Sequence, residues 1–123
     1  MAEEDHSFEI DFFEGVHRRN PTDPDVVEIL GSLYSDLGQV DNSLRMDSCL
    51  VDLQPTNANA HYNLACSFAL KHRFDEALQS LRQAVKLGYT DIKWLLGDPD
   101  FSQLREHPAF LAIVTDLKNK ADI

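Results

Sequence analysis

Basic side chains are nearly missing from the first half of this 123-residue chain. Residues 1–57 hold three Lys/Arg against 13 Asp/Glu, whereas residues 58–123 hold eight of each, so the net charge of −10 arises entirely before residue 58. An acidic chain repels phosphate, which makes nucleic acid and anionic membrane surfaces poor partners and a basic protein segment a better one. The alternative is that the acidity serves solubility alone. Glycine and proline are also scarce, five of each, which excludes a linker or a low-complexity protein. No apolar run approaches the roughly 20 residues that a membrane-spanning helix needs. The stretch Met1-Ala2-Glu3-Glu4-Asp5 is acidic where an export signal needs a basic region before an apolar one, so no Sec-type export is expected. Only two cysteines occur, Cys49 and Cys66, too few for a disulfide framework. Free thiols in a reducing, cytoplasmic setting are the expectation. What remains, 43% hydrophobic and 26% charged residues, is the composition of one globular domain.

The chain does contain a repeat. Pro21, Pro55 and Tyr89 are evenly spaced, and the step between them also relates Leu30 to Leu64, Tyr34 to Phe68, Ser43 to Ala77, Leu44 to Leu78 and Leu53 to Leu87. Residues 24–57 and 58–91 are therefore two copies of one unit. Within each copy the apolar residues recur at three- and four-residue steps, the helical period. Val26, Val27, Leu30, Leu33, Tyr34 and Leu37 form one such face, and Gly38 ends it by taking up the left-handed conformation cheaply. Asp41 is the expected cap of the next helix, with Leu44, Leu50, Val51 and Leu53 inward, and Pro55 closes it. The second copy repeats this with Leu64, Ala65, Phe68 and Ala69 in one helix. Its partner helix is expected to be capped by Asp75, with Ala77, Leu78, Leu81, Ala84, Val85 and Leu87 inward.

The residues Leu30-Gly31, Tyr34 and Pro55, with Leu64-Ala65, Phe68 and Ala77, resemble the tetratricopeptide repeat pattern, whose period is the same. Departures are Val27 and His61 at the tryptophan position, Ser43 for the alanine, Asp47 and Leu81 at the phenylalanine position, and Tyr89 for the second proline. Asp47, where an aromatic is usual, implies looser packing there. The resemblance implies an all-α, helix-hairpin solenoid, a right-handed superhelix of about seven helices.

Two repeats bury too little by themselves, so the flanks are expected to finish the stack. Residues 7–20 suit an N-terminal capping helix begun by Ser7. Early acids (Glu9, Asp11, Glu14) and late bases (His17, Arg18, Arg19) complement its dipole. Its Phe8, Ile10, Phe12, Phe13 and Val16 exceed what a surface helix needs, so exchange of this helix with a second copy, or dimerisation through Phe8, Phe12 and Phe13, is the alternative. Residues 92–123 lack the repeat but stay helical, as a C-terminal cap that could also carry self-association. A short helix bears Ile92, Trp94, Leu95 and Leu96. Asp98-Pro99 and His107-Pro108 each place proline at a helix start, and Phe110, Ile113, Val114 and Leu117 share one face. The run Asp98-Pro99-Asp100-Phe101, Leu104-Arg105, Pro108, Phe110 resembles closing segments that follow bacterial tetratricopeptide arrays.

No catalytic or metal constellation emerges. Cys49 and Cys66 are too far apart for a C-x-x-C pairing, and no H-E-x-x-H or glycine-rich phosphate loop occurs. Cys66 as a nucleophile would need a base and a lowered pKa, for which nothing nearby speaks. His6, His17, His72 and His107 fall at helix ends or loops, and Asp98 and Asp100 suit helix capping. No catalytic residue, cofactor or metal is assigned, and the expectation is a non-enzyme. In tetratricopeptide stacks the first helix of each pair lines a concave groove. The resemblance implies that Asp25, Glu28, Ser32, Ser35 and Asp36 of the first repeat and Asn59, Tyr62, Asn63, Cys66 and Ala69 of the second contact a ligand. An extended, basic protein segment fits this set, with affinity in the micromolar range or weaker. A carboxylate clamp does not, because Glu28 stands where such clamps need lysine. The same residues serve equally as a plain solvated face. Rival readings are a small secretion-type chaperone, a homo-oligomeric scaffold and an enzyme built on Cys66.

Overall fold

A computed structural model describes residues 6–121. Met1–Asp5, and with them the expectation of no export signal, lie outside the described residues. Those that are described form helices and no strand: α1 (Ser7–Arg19), α2 (Pro24–Asp36), α3 (Val40–Leu53), α4 (Ala58–Leu70), α5 (Phe74–Lys86), α6 (Ile92–Gly97), a 3-10 segment (Pro99–Leu104) and α7 (Pro108–Ala121). From α1 to α5 each helix packs on the next, giving an all-α solenoid of helical hairpins. No helix among the described residues is long and apolar enough to cross a membrane.

The sequence period recurs in the backbone. Helix α2 begins on Asp23, whose carboxylate accepts from the Asp25 amide at 3.0 Å, with Pro24 at the first position. It ends at a left-handed Gly38 (φ 71°), and the Gln39 amide closes the turn on the Tyr34 carbonyl at 2.9 Å. In the second unit His72 takes the place of Gly38 (φ 60°), and the Arg73 amide reaches the Phe68 carbonyl, again at 2.9 Å. These turns correct two expected caps. Because the left-handed residue delivers the chain straight into the next helix, α3 and α5 begin at Val40 and Phe74. Gln39 and Arg73 then hold the cap position without a side-chain bond. Asp41 and Asp75 lie inside the first turn, where a carboxylate still favours the helix dipole. Asp41 also pairs with Lys71 at 2.7 Å, linking α3 to the end of α4.

Small residues set the spacing between helices. A Cβ on Gly31 would stand 3.4 Å from the Asp47 carboxylate and 3.5 Å from the Met46 Cβ, so α2 and α3 approach closely there. Ala65 and Ala77, both fully buried, play this part in the second pair. The core of the first half joins Val27, Leu30, Tyr34, Met46 and Leu50. Helix α3 faces inward through Ser43, Met46 and Leu50, while Leu44, Val51 and Leu53 are only half-buried. Asp47 does not loosen this packing. Its carboxylate accepts from the Ser67 hydroxyl of α4 at 2.6 Å, tying the two repeats together.

The ends close the stack unequally. Helix α1 starts at Ser7 with His6, not Ser7, at the cap position. It buries no residue fully. Ile10, Phe13 and Val16 pack against the first core, while Phe8 and Phe12 stay 80% and 54% exposed. Glu14 accepts from the Tyr34 hydroxyl and from Arg45 at 2.7 Å, pinning α1 to α2 and α3. Burial acts to raise the Glu14 carboxyl, but the Tyr34 hydroxyl and the Arg45 guanidinium outweigh it and hold the group below the usual range. Burial and the Glu14 charge push Tyr34 up to about 12. The C-terminal third is a true cap. Phe101 and Leu104, with Phe110, Ile113, Val114 and Leu117, join Ala65, Leu81 and Val85 in the second core. Each such fully buried large side chain contributes about 1.5–3 kcal/mol.

Candidate ligand-binding groove

Helices α2 and α4 line one side of the solenoid, and between them runs an open groove of about 1140 Å³. Its floor is the α3–α4 seam, where Ser43, Asp47 and Ser67 meet. Its far wall is the C-terminal cap, through Tyr89, Thr90, Asp91 and Trp94. Burial raises the Asp47 carboxyl against the lowering effect of the two serine hydroxyls.

Of the residues expected to contact a ligand, Glu28, Ser32, Ser35, Asn59, Tyr62, Asn63 and Cys66 line this groove; Tyr62 is buried, Cys66 is half-buried and the others are exposed. Asp25 and Asp36 do not line it. They are exposed at the two ends of α2, Asp25 in its first turn, and take no part in the groove wall. Ala69 is buried in the α4–α5 core and is likewise withdrawn.

Tyr62 is the substantive correction. Its place in the repeat implies an apolar ring and a polar tip offered to a ligand, but the residue is only 4% exposed. The ring stacks on Tyr89 at 4.4 Å and meets Phe101 edge-on at 5.7 Å. Its hydroxyl donates to the Asp98 carboxylate at 2.6 Å. The side chain is thus committed to joining α4 to the C-terminal cap. Burial and the hydrogen bond to the Asp98 carboxylate push the phenol well above its usual range.

Asp98 has a double role that capping alone did not suggest. One carboxylate oxygen accepts from the Asp100 amide at 3.0 Å, which is the expected cap of the 3-10 segment. The other takes the Tyr62 hydroxyl and lies 3.7 Å from the Cys66 sulfur. Arg105 reaches back to the Asp98 carbonyl at 2.9 Å and steadies the turn.

Around Cys66 the field is unfavourable to a thiolate. Burial, then the charges of Asp98 and Asp100, push the thiol far above its usual value, so it stays protonated at neutral pH. Burial and the Asp98 charge also raise Asp100. Donor atoms of Cys66, Asp98 and Asp100 lie within 4.8 Å of one another, the arrangement in this region that could hold a cation. A cation there would compete with the Tyr62 hydroxyl for Asp98.

Sequence reasoning passed over Ile29 and Leu70, which line the groove and are 39% and 46% exposed. The repeat held a signal for both. Ile29 stands one repeat period before Asn63, and Leu70 one period after Asp36, in the register that selected those two. Asp91, the last residue of the second repeat, and Trp94, Asp98 and Asp100 beyond it had no such signal, because neither helix of the repeat includes them.

No family model matches the chain. Over 83 residues, 65% of this chain, it is 30% identical to a curated Arabidopsis thaliana protein whose name places it in the chloroplast. The matched stretch is 25% of that protein, so the chain spans about a quarter of the length of this curated relative.

Proposed function

We propose that this chain is a non-enzymatic interaction module of the tetratricopeptide type, holding an extended, basic segment of a partner protein in its groove. The observation that carries this reading is the sign of the groove. Its charged lining residues are Glu28, Asp47, Asp91, Asp98 and Asp100, all carboxylates, and among the described residues neither Lys, Arg nor His lines it. Exposed Asn59 and Asn63 supply amides that both donate to and accept from a ligand backbone. The tetratricopeptide assignment is supported by the matching left-handed turns at Gly38 and His72, one repeat period apart. Cys66, whose thiol is held protonated by burial and by the charges of Asp98 and Asp100 beside it, argues against nucleophilic chemistry. The free thiols Cys49 and Cys66 fit a reducing compartment, and the cytoplasm is our proposed location. The chloroplast named for the Arabidopsis relative is the alternative that cell fractionation would decide.

The test is co-precipitation from source-cell lysate with the wild type and a Glu28→Lys/Asn63→Ala variant of matched helicity. Both substitutions are on exposed groove residues and leave the core untouched. A partner retained by the wild type and lost by the variant supports the reading. Equal retention by both means that another surface carries the interaction. Self-association is the second reading, favoured by the exposed rings of Phe8 and Phe12 on α1. A dimer by light scattering that Phe8→Ser/Phe12→Ser dissolves would establish it.

A further inference from the structure

The groove is acidic, but it is not uniformly polar. Among the described residues, eight large apolar side chains are exposed, and three of them, Ile29, Leu70 and Trp94, line this one groove. Trp94 is 64% exposed and comes from α6, outside the repeats. It is held in place from below. The Asp91 carboxylate accepts from the Trp94 amide at 3.0 Å, and Leu95, the next residue, is fully buried. Trp94 is therefore presented on a fixed backbone that Asp91 caps, and Asp91 and Asp100 line the same groove. A groove lined by both an exposed indole and carboxylates favours a cation twice over, through the ring quadrupole and through charge. The same ring also offers apolar area to a bulky neighbour of that cation.

Resting on the groove reading above, we propose that the C-terminal cap is half of the binding site. The groove selects a segment in which a lysine or arginine stands next to a bulky apolar side chain, docked against Trp94, Asp91 and Asp100. The cap therefore does two jobs. Leu95, Phe101 and Leu104 face inward and seal the stack, while Trp94 faces outward and reads the ligand. A ligand with cations alone leaves the apolar area of Ile29 and Leu70 in water. A purely apolar ligand leaves the carboxylates uncompensated. The mixed segment satisfies both.

Trp94 is the chain's single tryptophan, so its fluorescence reports this end of the groove without labelling. The probes are three capped decapeptides: lysines alternating with serines around a central phenylalanine, the same with serine for phenylalanine, and the first with glutamate for every lysine. Binding is followed by Trp94 emission and by calorimetry at low salt, using the full chain. The first peptide should bind and shift the emission to shorter wavelength. Loss of its phenylalanine should weaken binding about tenfold, and the glutamate peptide should not bind. Asp91→Asn/Asp100→Asn, which keeps a side-chain oxygen at position 91 to cap α6, and Trp94→Ala should each weaken the first peptide about tenfold at unchanged helicity.

Binding that Glu28→Lys/Asn63→Ala abolishes but the cap variants leave intact would overturn this inference while sparing the groove reading. Equal affinity for the two lysine peptides would overturn it too, because acidity alone would then account for binding. No binding of any peptide by calorimetry would count against both. A dimer that dissociates in Trp94→Ala would replace the peptide with a second copy of the chain.

Discussion

Replacing Tyr62 with phenylalanine removes one oxygen atom and tests how the C-terminal cap is held. Both ring contacts survive, the stack on Tyr89 and the edge on Phe101, so the change isolates the hydroxyl. That hydroxyl donates at 2.6 Å to a carboxylate whose residue is only 8% exposed. A hydrogen bond to a charged group is worth about 1.5–3 kcal/mol net, and losing it leaves the buried acceptor short of a partner. Asp98 keeps the Asp100 amide at 3.0 Å and the Cys66 thiol at 3.7 Å, which lessens the loss. The expected cost is about 2 kcal/mol, or a fall in melting temperature of about 8 °C for a domain of this size. Urea denaturation followed by circular dichroism measures it directly. Tyr89→Phe is the control. That hydroxyl is exposed and sits 3.2 Å from the Asp91 carbonyl, so its removal should cost under about 0.5 kcal/mol. Asp98→Asn keeps a capping oxygen, and combining it with Tyr62→Phe closes a double-mutant cycle. A coupling of about 1 kcal/mol or more is expected between residues in one such bond. Additive effects, or a Tyr62→Phe loss no larger than that of Tyr89→Phe, would refute the claim that this bond latches the cap to α4.

Two further outcomes follow from the geometry. Gly38→Ala should cost about 1–2 kcal/mol by thermal denaturation, since a Cβ there meets nothing within 4 Å and the penalty is that of φ 71° alone. Gly38→Asn should cost less, because asparagine tolerates this conformation better. At Glu14 the folded-state pKa is lowered, so its contribution is fully present above the unfolded value near 4.5 and is lost as pH falls through the folded one. Amide exchange in α1 should therefore quicken in that acid range before exchange in α4 does, and Glu14→Gln should remove the pH dependence of that difference.

The helical hairpins, their common register and the burial of the α7 face could all be inferred from residue spacing. Leu30, Leu64 and their partners recur at the helical period, and that recurrence is local. Helix starts were less legible. Asp41 and Asp75 are good capping residues by type, yet the left-handed turns at Gly38 and His72 set the entry point earlier in the chain. Half of the groove could be found by register, including Glu28, Asn59 and Asn63, and the same register would have found Ile29 and Leu70. The other half came from residues 89–100, which follow the last helix of the second repeat and so are given no face by it. Tyr62 shows why. Its position on the concave side of α4 follows from the repeat, but whether its ring meets solvent depends on what a much later segment of the chain lays against it. By itself, then, the sequence determined which segments coil into helices and which faces they bury, because a periodic apolar pattern fixes a face within each helix. The tertiary structure alone decided which polar groups are spent inside the fold, such as Tyr62 and Asp98, and which side chains remain for a partner, such as Asn63 and Trp94. That division depends on contacts between residues far apart in the chain.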